Sequence, residues 1–83
     1  MSRYQRTKDE YYMIALYEMG QEKGDFEASF NKYTIGERAS VKPKAVDAIC
    51  ALLIQANFIK KSSETEVFLT EHGRSLVETQ LIL

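Results

Sequence analysis

Two lysines, Lys42 and Lys44, bracket the only proline of the chain, Pro43. Proline is well placed at the start of a helix, where its missing N–H would have had no partner and its fixed φ is already helical. The flanking lysines would then stand at a helix tip, where ammonium groups can meet phosphate oxygens or a guanine edge. Further on, Lys60 and Lys61 open the polar stretch Lys60-Lys61-Ser62-Ser63-Glu64-Thr65, and Arg3 and Arg6 lie near the start. Thr34 and Ser40 add hydroxyls able to donate to backbone phosphate oxygens. The chemistry these residues share is contact with a polyanion, not the making or breaking of bonds.

Catalysis would need a nucleophile, an acid–base pair or metal ligands converging in a pocket. The chain has one histidine, one cysteine and no glycine-rich phosphate loop. His72 sits beside Glu71 in the first turn of an expected helix and reads as a water-exposed helix-start residue. Cys50 shares a helix face with Ile49 and Leu53 and reads as a small buried hydrophobe, with a redox-sensing thiol as the alternative. Neither an enzymatic activity nor a cofactor or metal site is expected.

Elements that would position the cationic groups can be read on both sides of Pro43. Ile35 to Ala39 reads as a short helix, capped by Thr34 with Glu37 in a capping box, and a second helix starts at Pro43. Ile35, Ala39, Val41, Val46, Ile49, Cys50 and Leu53 fall where two crossing helices would touch, with Ala39 at the closest approach and Val41 as the plug of the turn. This is the layout of a helix-turn-helix. Asn57-Phe58-Ile59 then ends the second helix and starts a strand, and Glu66-Val67-Phe68-Leu69 gives its hairpin partner. Thr70 is the expected N-cap of a last helix carrying Leu76, Val77, Gln80 and Leu81.

Ahead of this block, Thr7 and Glu10 form a capping-box pattern, and Gly20 or Gly24 ends the helix they begin. Tyr12, Ala15, Leu16 and Met19 recur on its expected core face. Phe26 and Phe30, in the connection that follows, are expected to fold back over the core. Lys32-Tyr33-Thr34 is expected as a short strand pairing with the hairpin. The whole reads as a mainly α fold with a small β-hairpin, α+β in class: a three-helix core with a wing and a C-terminal helix.

Length and composition place limits on function. Eighty-three residues, 45% of them hydrophobic and 28% charged, suit a single small globular domain over residues 1–83, with 1–7 as a flexible basic arm. One cysteine excludes an internal disulfide and fits a reducing compartment. Met1 to Lys8 lacks the apolar segment of a secretion signal and no run reaches membrane-spanning length, so a cytoplasmic protein without membrane contact is expected. The net charge is −1, but it is unevenly spread. Arg3, Arg6 and Lys8 make the start basic, six acids against Lys23 make residues 9–30 acidic, and Lys32, Arg38, Lys42 and Lys44 outweigh Glu37 in residues 31–44.

Taken together, Ile35 to Val46, the hairpin and the segment Phe68-Leu69-Thr70-Glu71-His72-Gly73-Arg74 resemble the winged-helix domains of bacterial and archaeal transcriptional regulators. Including Asp9 to Glu18, the likeness is nearest to the N-terminal domain of the iron-dependent, diphtheria-toxin-repressor-like repressors. Regulators of the multiple-antibiotic-resistance and phenolic-acid types share the Leu-Thr-x-x-Gly turn. The resemblance implies a winged helix-turn-helix that binds double-stranded DNA. Metal binding is not carried over, because where those repressors use an acid backed by histidines the first helix offers Tyr11, Tyr12 and Met13.

On this reading the helix from Pro43 enters the major groove with Lys42 and Lys44 at its tip. Ser40 and Thr34 donate to backbone oxygens, Lys60 and Lys61 reach phosphate from the wing, and Arg3 and Arg6 grip an adjacent groove. A competing expectation comes from the outward face past Lys44, where Asp47 would repel phosphate and Ala48, Ala51 and Leu52 are apolar. These residues, with the apolar end Leu81-Ile82-Leu83, suit a winged helix that docks a protein instead. The same C-terminal end could join two copies in a homodimer that presents two recognition helices to a palindromic site.

Overall fold

The computed structural model describes residues 6–82. Among them are four helices and a three-stranded antiparallel sheet, an α+β arrangement. In chain order these are α1 (Lys8–Lys23), β1 (Phe30–Asn31), α2 (Lys32–Arg38), α3 (Pro43–Gln55), β2 (Ile59–Lys61), β3 (Glu66–Leu69) and α4 (Glu71–Leu76). The last helix runs on in π-helical winding over Val77–Leu81.

Local chemistry accounts for where the helices start. Thr7 and Glu10 form the expected capping box of α1, Pro43 begins α3, and the Thr70 hydroxyl accepts from the Gly73 N–H to cap α4. The start of α2 differs from expectation. The Asn31 carboxamide oxygen accepts from the N–H groups of Tyr33 and Thr34 at 2.8 and 3.3 Å, so the helix begins at Lys32. Thr34 is therefore inside the helix rather than its cap, and Lys32-Tyr33-Thr34 cannot be a strand. The pairing strand is the two residues just before, Phe30–Asn31.

Three helices stop in the same way, with one residue in the left-handed region. Gly24 (φ 80°), Ser40 (φ 61°) and Asn57 (φ 66°) follow α1, α2 and α3. In each case two backbone bonds close the end, as where Val41 N–H reaches the Gly36 carbonyl (2.8 Å) and Ser40 N–H reaches that of Glu37 (3.2 Å). This is a Schellman stop. It reverses the chain sharply between α2 and α3, leaving Val41 buried as the plug of the turn.

β3 is the central strand, with β1 and β2 antiparallel on either side. The register pairs Ile59 with Leu69, Lys60 with Phe68 and Lys61 with Val67 in the hairpin, and Phe30 with Val67 across the other edge. Ile59, Val67 and Leu69 face a core whose other fully buried members include Tyr12, Met13, Leu16, Ile35, Val46 and Val77. Phe26 and Phe30 close over it as expected. Phe26 lies 4.9 Å from the Tyr17 ring and carries the Arg74 guanidinium 4.1 Å above it.

Two glycines permit close approaches. A Cβ on Gly36 would lie 2.6 Å from Val46 Cγ2, so α2 and α3 approach closely there, while Ala39 is partly buried at the end of α2. A Cβ on Gly73 would lie 2.1 Å from the Phe58 carbonyl oxygen. That oxygen also accepts from the Thr70 N–H and hydroxyl, both at 3.1 Å. The Leu-Thr-x-x-Gly turn thus pins the start of α4 to the junction of α3 and β2.

Candidate functional site

The exposed surface of α3, the turn leading into it and the adjoining face of the β2–β3 hairpin carry three of the six cationic residues read from the sequence as contacts, Lys42, Lys44 and Lys61. Lys42 is the N-cap residue of α3 and makes no side-chain cap bond, in contrast to Thr7, Asn31 and Thr70 at the other three helices. Its side chain and that of Lys44 are exposed, and neither forms a salt bridge among the described residues. Ser40, exposed in the left-handed position of the turn, is separated from Lys42 only by the buried Val41. Thr34 is exposed in the first turn of α2.

The other cations of residues 31–44 are engaged elsewhere. Arg38 turns back onto α1, donating to both carboxylate oxygens of Glu22, one at 2.9 Å, and to Glu18 at 3.4 Å. The guanidinium holds the Glu22 carboxyl below its usual value and is itself raised. Lys32 meets the Asp47 carboxylate at 2.9 Å, and the Tyr33 hydroxyl donates to the same group at 3.0 Å. Asp47 is consequently depressed, first by Lys32 and then by Tyr33. The one acid on the outward side of α3 therefore carries a compensating cation within hydrogen-bond distance.

Strand alternation separates the two hairpin lysines. Lys61 is on the same side of β2 as Ile59, beyond the edge of the core. It lines a shallow groove of about 180 Å³ between α3 and the hairpin with Lys32, Asp47, Ala51, Ile54 and Glu64. Lys60 faces the other way, into a hollow formed with Asn57, Phe68, Glu71 and His72. Only Lys61 shares the α3 side. The His72 ring is exposed and stacks on Phe58 with centroids 4.8 Å apart.

The N-terminal arginines are not gathered at this face. Arg3 lies outside the described residues, and the Arg6 guanidinium donates to the Leu81 carbonyl at the far end of the chain. Of the apolar C-terminal trio, Leu81 belongs to the core, Ile82 is 45% exposed and Leu83 lies outside the described residues. On α3 itself, Leu52 is 59% and Ile54 36% exposed, alongside exposed Ala48 and Ala51.

Cys50 is buried and donates through its thiol to the Tyr12 hydroxyl at 3.3 Å, which in turn donates to the Lys32 carbonyl at 2.8 Å. Burial pushes the thiol above its ordinary value, which leaves it protonated and a poor nucleophile. Tyr12 is raised as well, chiefly by burial. Among the described residues no three His, Cys, Asp or Glu side chains converge as metal ligands, and no helix is long and apolar enough to cross a membrane.

The Lys32–Asp47–Tyr33 cluster was not legible in the sequence, since Lys32 and Asp47 stand fifteen residues apart on different helices. The expectation that Lys60 and Lys61 act together overlooked a local signal, since an inward Ile59 puts the next two residues on opposite sides of the strand. No protein-family model matches the chain, and no curated protein or solved structure is found to match it.

Proposed function

We propose that this chain is a winged helix-turn-helix that binds double-stranded DNA, with α3 as the recognition helix and the β2–β3 hairpin as the wing, acting as a transcriptional regulator. The observation that carries the reading is the tip of α3. Lys42 and Lys44 stand there exposed and without ion pairs among the described residues, at the one helix start with no side-chain cap. The first-turn amides and the helix dipole favour an anion at such an end, and the two ammonium groups add to that attraction.

Asp47 weighs less against the reading than its sequence position suggested, because Lys32 and Tyr33 hold its carboxylate. Lys61 supplies a further phosphate contact from the hairpin, and Ser40 and Thr34 can donate to backbone oxygens. Ala48, Ala51 and Leu52 would meet thymine methyl groups. Lys60 faces away and contributes only through the general field. Arg6 is tied to Leu81 and is left out of the interface.

Fluorescence anisotropy on a mixed-sequence duplex over a salt series tests this. Three phosphate contacts per chain give a log–log slope of roughly −3. Replacing Lys42 and Lys44 together by glutamate abolishes binding while the thermal transition is retained. Unchanged binding by that variant, or none by the wild type, overturns the reading.

The exposed Leu52 and Ile54 support a second reading, a winged helix whose α3 face docks a protein. Leu52→Lys separates the two. It adds attraction to phosphate and strengthens duplex binding in the first, and places a charge in an apolar contact in the second.

A further inference from the structure

We propose that two copies of this chain associate about a two-fold axis through the outward stripe of α1, the two helices running antiparallel. At 100° per residue, Lys8, Tyr11, Ile14, Ala15, Glu18 and Glu22 fall within an arc of about 120°. The opposite arc holds Tyr12, Met13, Leu16, Tyr17 and Gly20, all buried in the core, and Ala15 within the stripe is buried as well, so the surface of the stripe is made by Lys8, Tyr11, Ile14, Glu18 and Glu22 over it. The stripe is one wall of a groove of about 790 Å³ whose other wall is the end of α2 with Ala39 and Ser40. Tyr11 and Ile82 stand at its rim, each 45% exposed.

The order of charges along the stripe identifies the occupant as a second copy. Arg6 and Lys8 make its N-terminal end cationic, exposed Tyr11 and half-buried Ile14 are apolar in the middle, and Glu18 and Glu22 make the far end acidic. Lys8 and Glu22 are separated by about 21 Å along the helix axis. A two-fold axis between Ile14 and Ala15 brings Lys8 of each copy over the Gln21–Glu22 turn of the other, and Tyr11 over Glu18. Parallel packing would instead set cations against cations and acids against acids.

The internal ion pairs leave charge for this contact. Among the described residues Glu18 and Glu22 share a single cation, Arg38, so one negative charge at that end is available to the Lys8 of a second copy. Lys8 forms no ion pair among the described residues. The patch also supplies both the projecting side chains, Tyr11 and Ile82, and the groove that receives them. An isologous interface requires that self-complementarity. Of the C-terminal end, Ile82 joins this contact, whereas Leu81 is buried in the core. The contact rests on α1 and not on the α3 reading, so either can fail alone.

Light scattering of the full chain without DNA tests it. The wild type should give twice the 9.5 kDa of one chain. Lys8→Glu and Glu22→Lys should each halve that mass, while an equimolar mixture of the two variants returns to the dimer mass, because the reversed charges pair across the axis. Ile14→Lys should be monomeric alone and in any mixture. Thermal transitions followed by circular dichroism establish that each variant is folded, and Lys8→Glu breaks no internal pair. A single-chain mass for the wild type, a dimer mass for both charge variants, or a mixture that stays monomeric would each overturn the proposal.

Discussion

Replacing Gly73 by alanine sets two physical effects against each other with opposite signs. Gly73 lies inside α4, and helix propensity alone makes Gly→Ala stabilising by about 1 kcal/mol. The added methyl would stand 2.1 Å from the Phe58 carbonyl oxygen and 2.9 Å from Leu69 Cδ1. The first neighbour is backbone, anchored where α3 passes into β2, so relief requires α4 to lift away. Overpacking of this kind costs roughly 1–3 kcal/mol. Displacement also weakens the Thr70 N–H bond to the Phe58 carbonyl, at about 1 kcal/mol, the Thr70 hydroxyl keeping its shorter bond of 2.7 Å to the Asn57 carbonyl. The net expectation is a loss of about 1–3 kcal/mol, a large part of the stability of a domain this size. Urea unfolding of wild type and variant measures it, with the midpoint falling and the slope unchanged. Equal or higher stability in the variant would refute the claim that close backbone approach, rather than flexibility, requires glycine there.

Other outcomes follow from particular residues. Ser40→Gly removes the left-handed strain at φ 61° and should stabilise by about 1 kcal/mol, raising the Tm by several degrees in a calorimetric scan. Cys50 should react with a thiol reagent only as fast as the chain opens, so labelling accelerates with urea; rapid labelling under native conditions would contradict its burial and raised pKa. Asp47, Glu22 and Glu78 are each held below the usual carboxylate range, by Lys32, Arg38 and Arg74 first. With folded values depressed, their stabilisation is present above the unfolded range and lost as pH falls through the folded values, so the urea midpoint should drop below about pH 4. The Asp47→Asn variant should lose part of that acid sensitivity and, by freeing Lys32, bind duplex more tightly in the anisotropy assay.

Features carried by neighbours in the chain were legible in the sequence. Thr7 with Glu10, Pro43 and Thr70 each mark a helix start through groups within three residues, and all three fall where the local pattern places them. Asn31 was missed because two capping residues stand three apart. Thr34 offers a hydroxyl and a matching Glu37, but Asn31 acts first and draws Lys32 into the helix. Pairing between distant residues was not legible. The basic character of residues 31–44 looked like one patch, yet Arg38 and Lys32 are drawn off by acids fifteen to twenty positions away. What remains at the tip of α3 is a smaller cationic site than residue counting implied, and a less obstructed one.

The most direct test of the central claim is a two-dimensional amide spectrum of the chain titrated with duplex DNA. The amide signals of Ser40 to Ala48 and of Lys61 to Thr65 should move, with Lys44 among the largest shifts, while those of the core strand residues Val67 and Leu69 stay in place. Shifts confined to α1 or to the Lys60 face, or none at all, would contradict it.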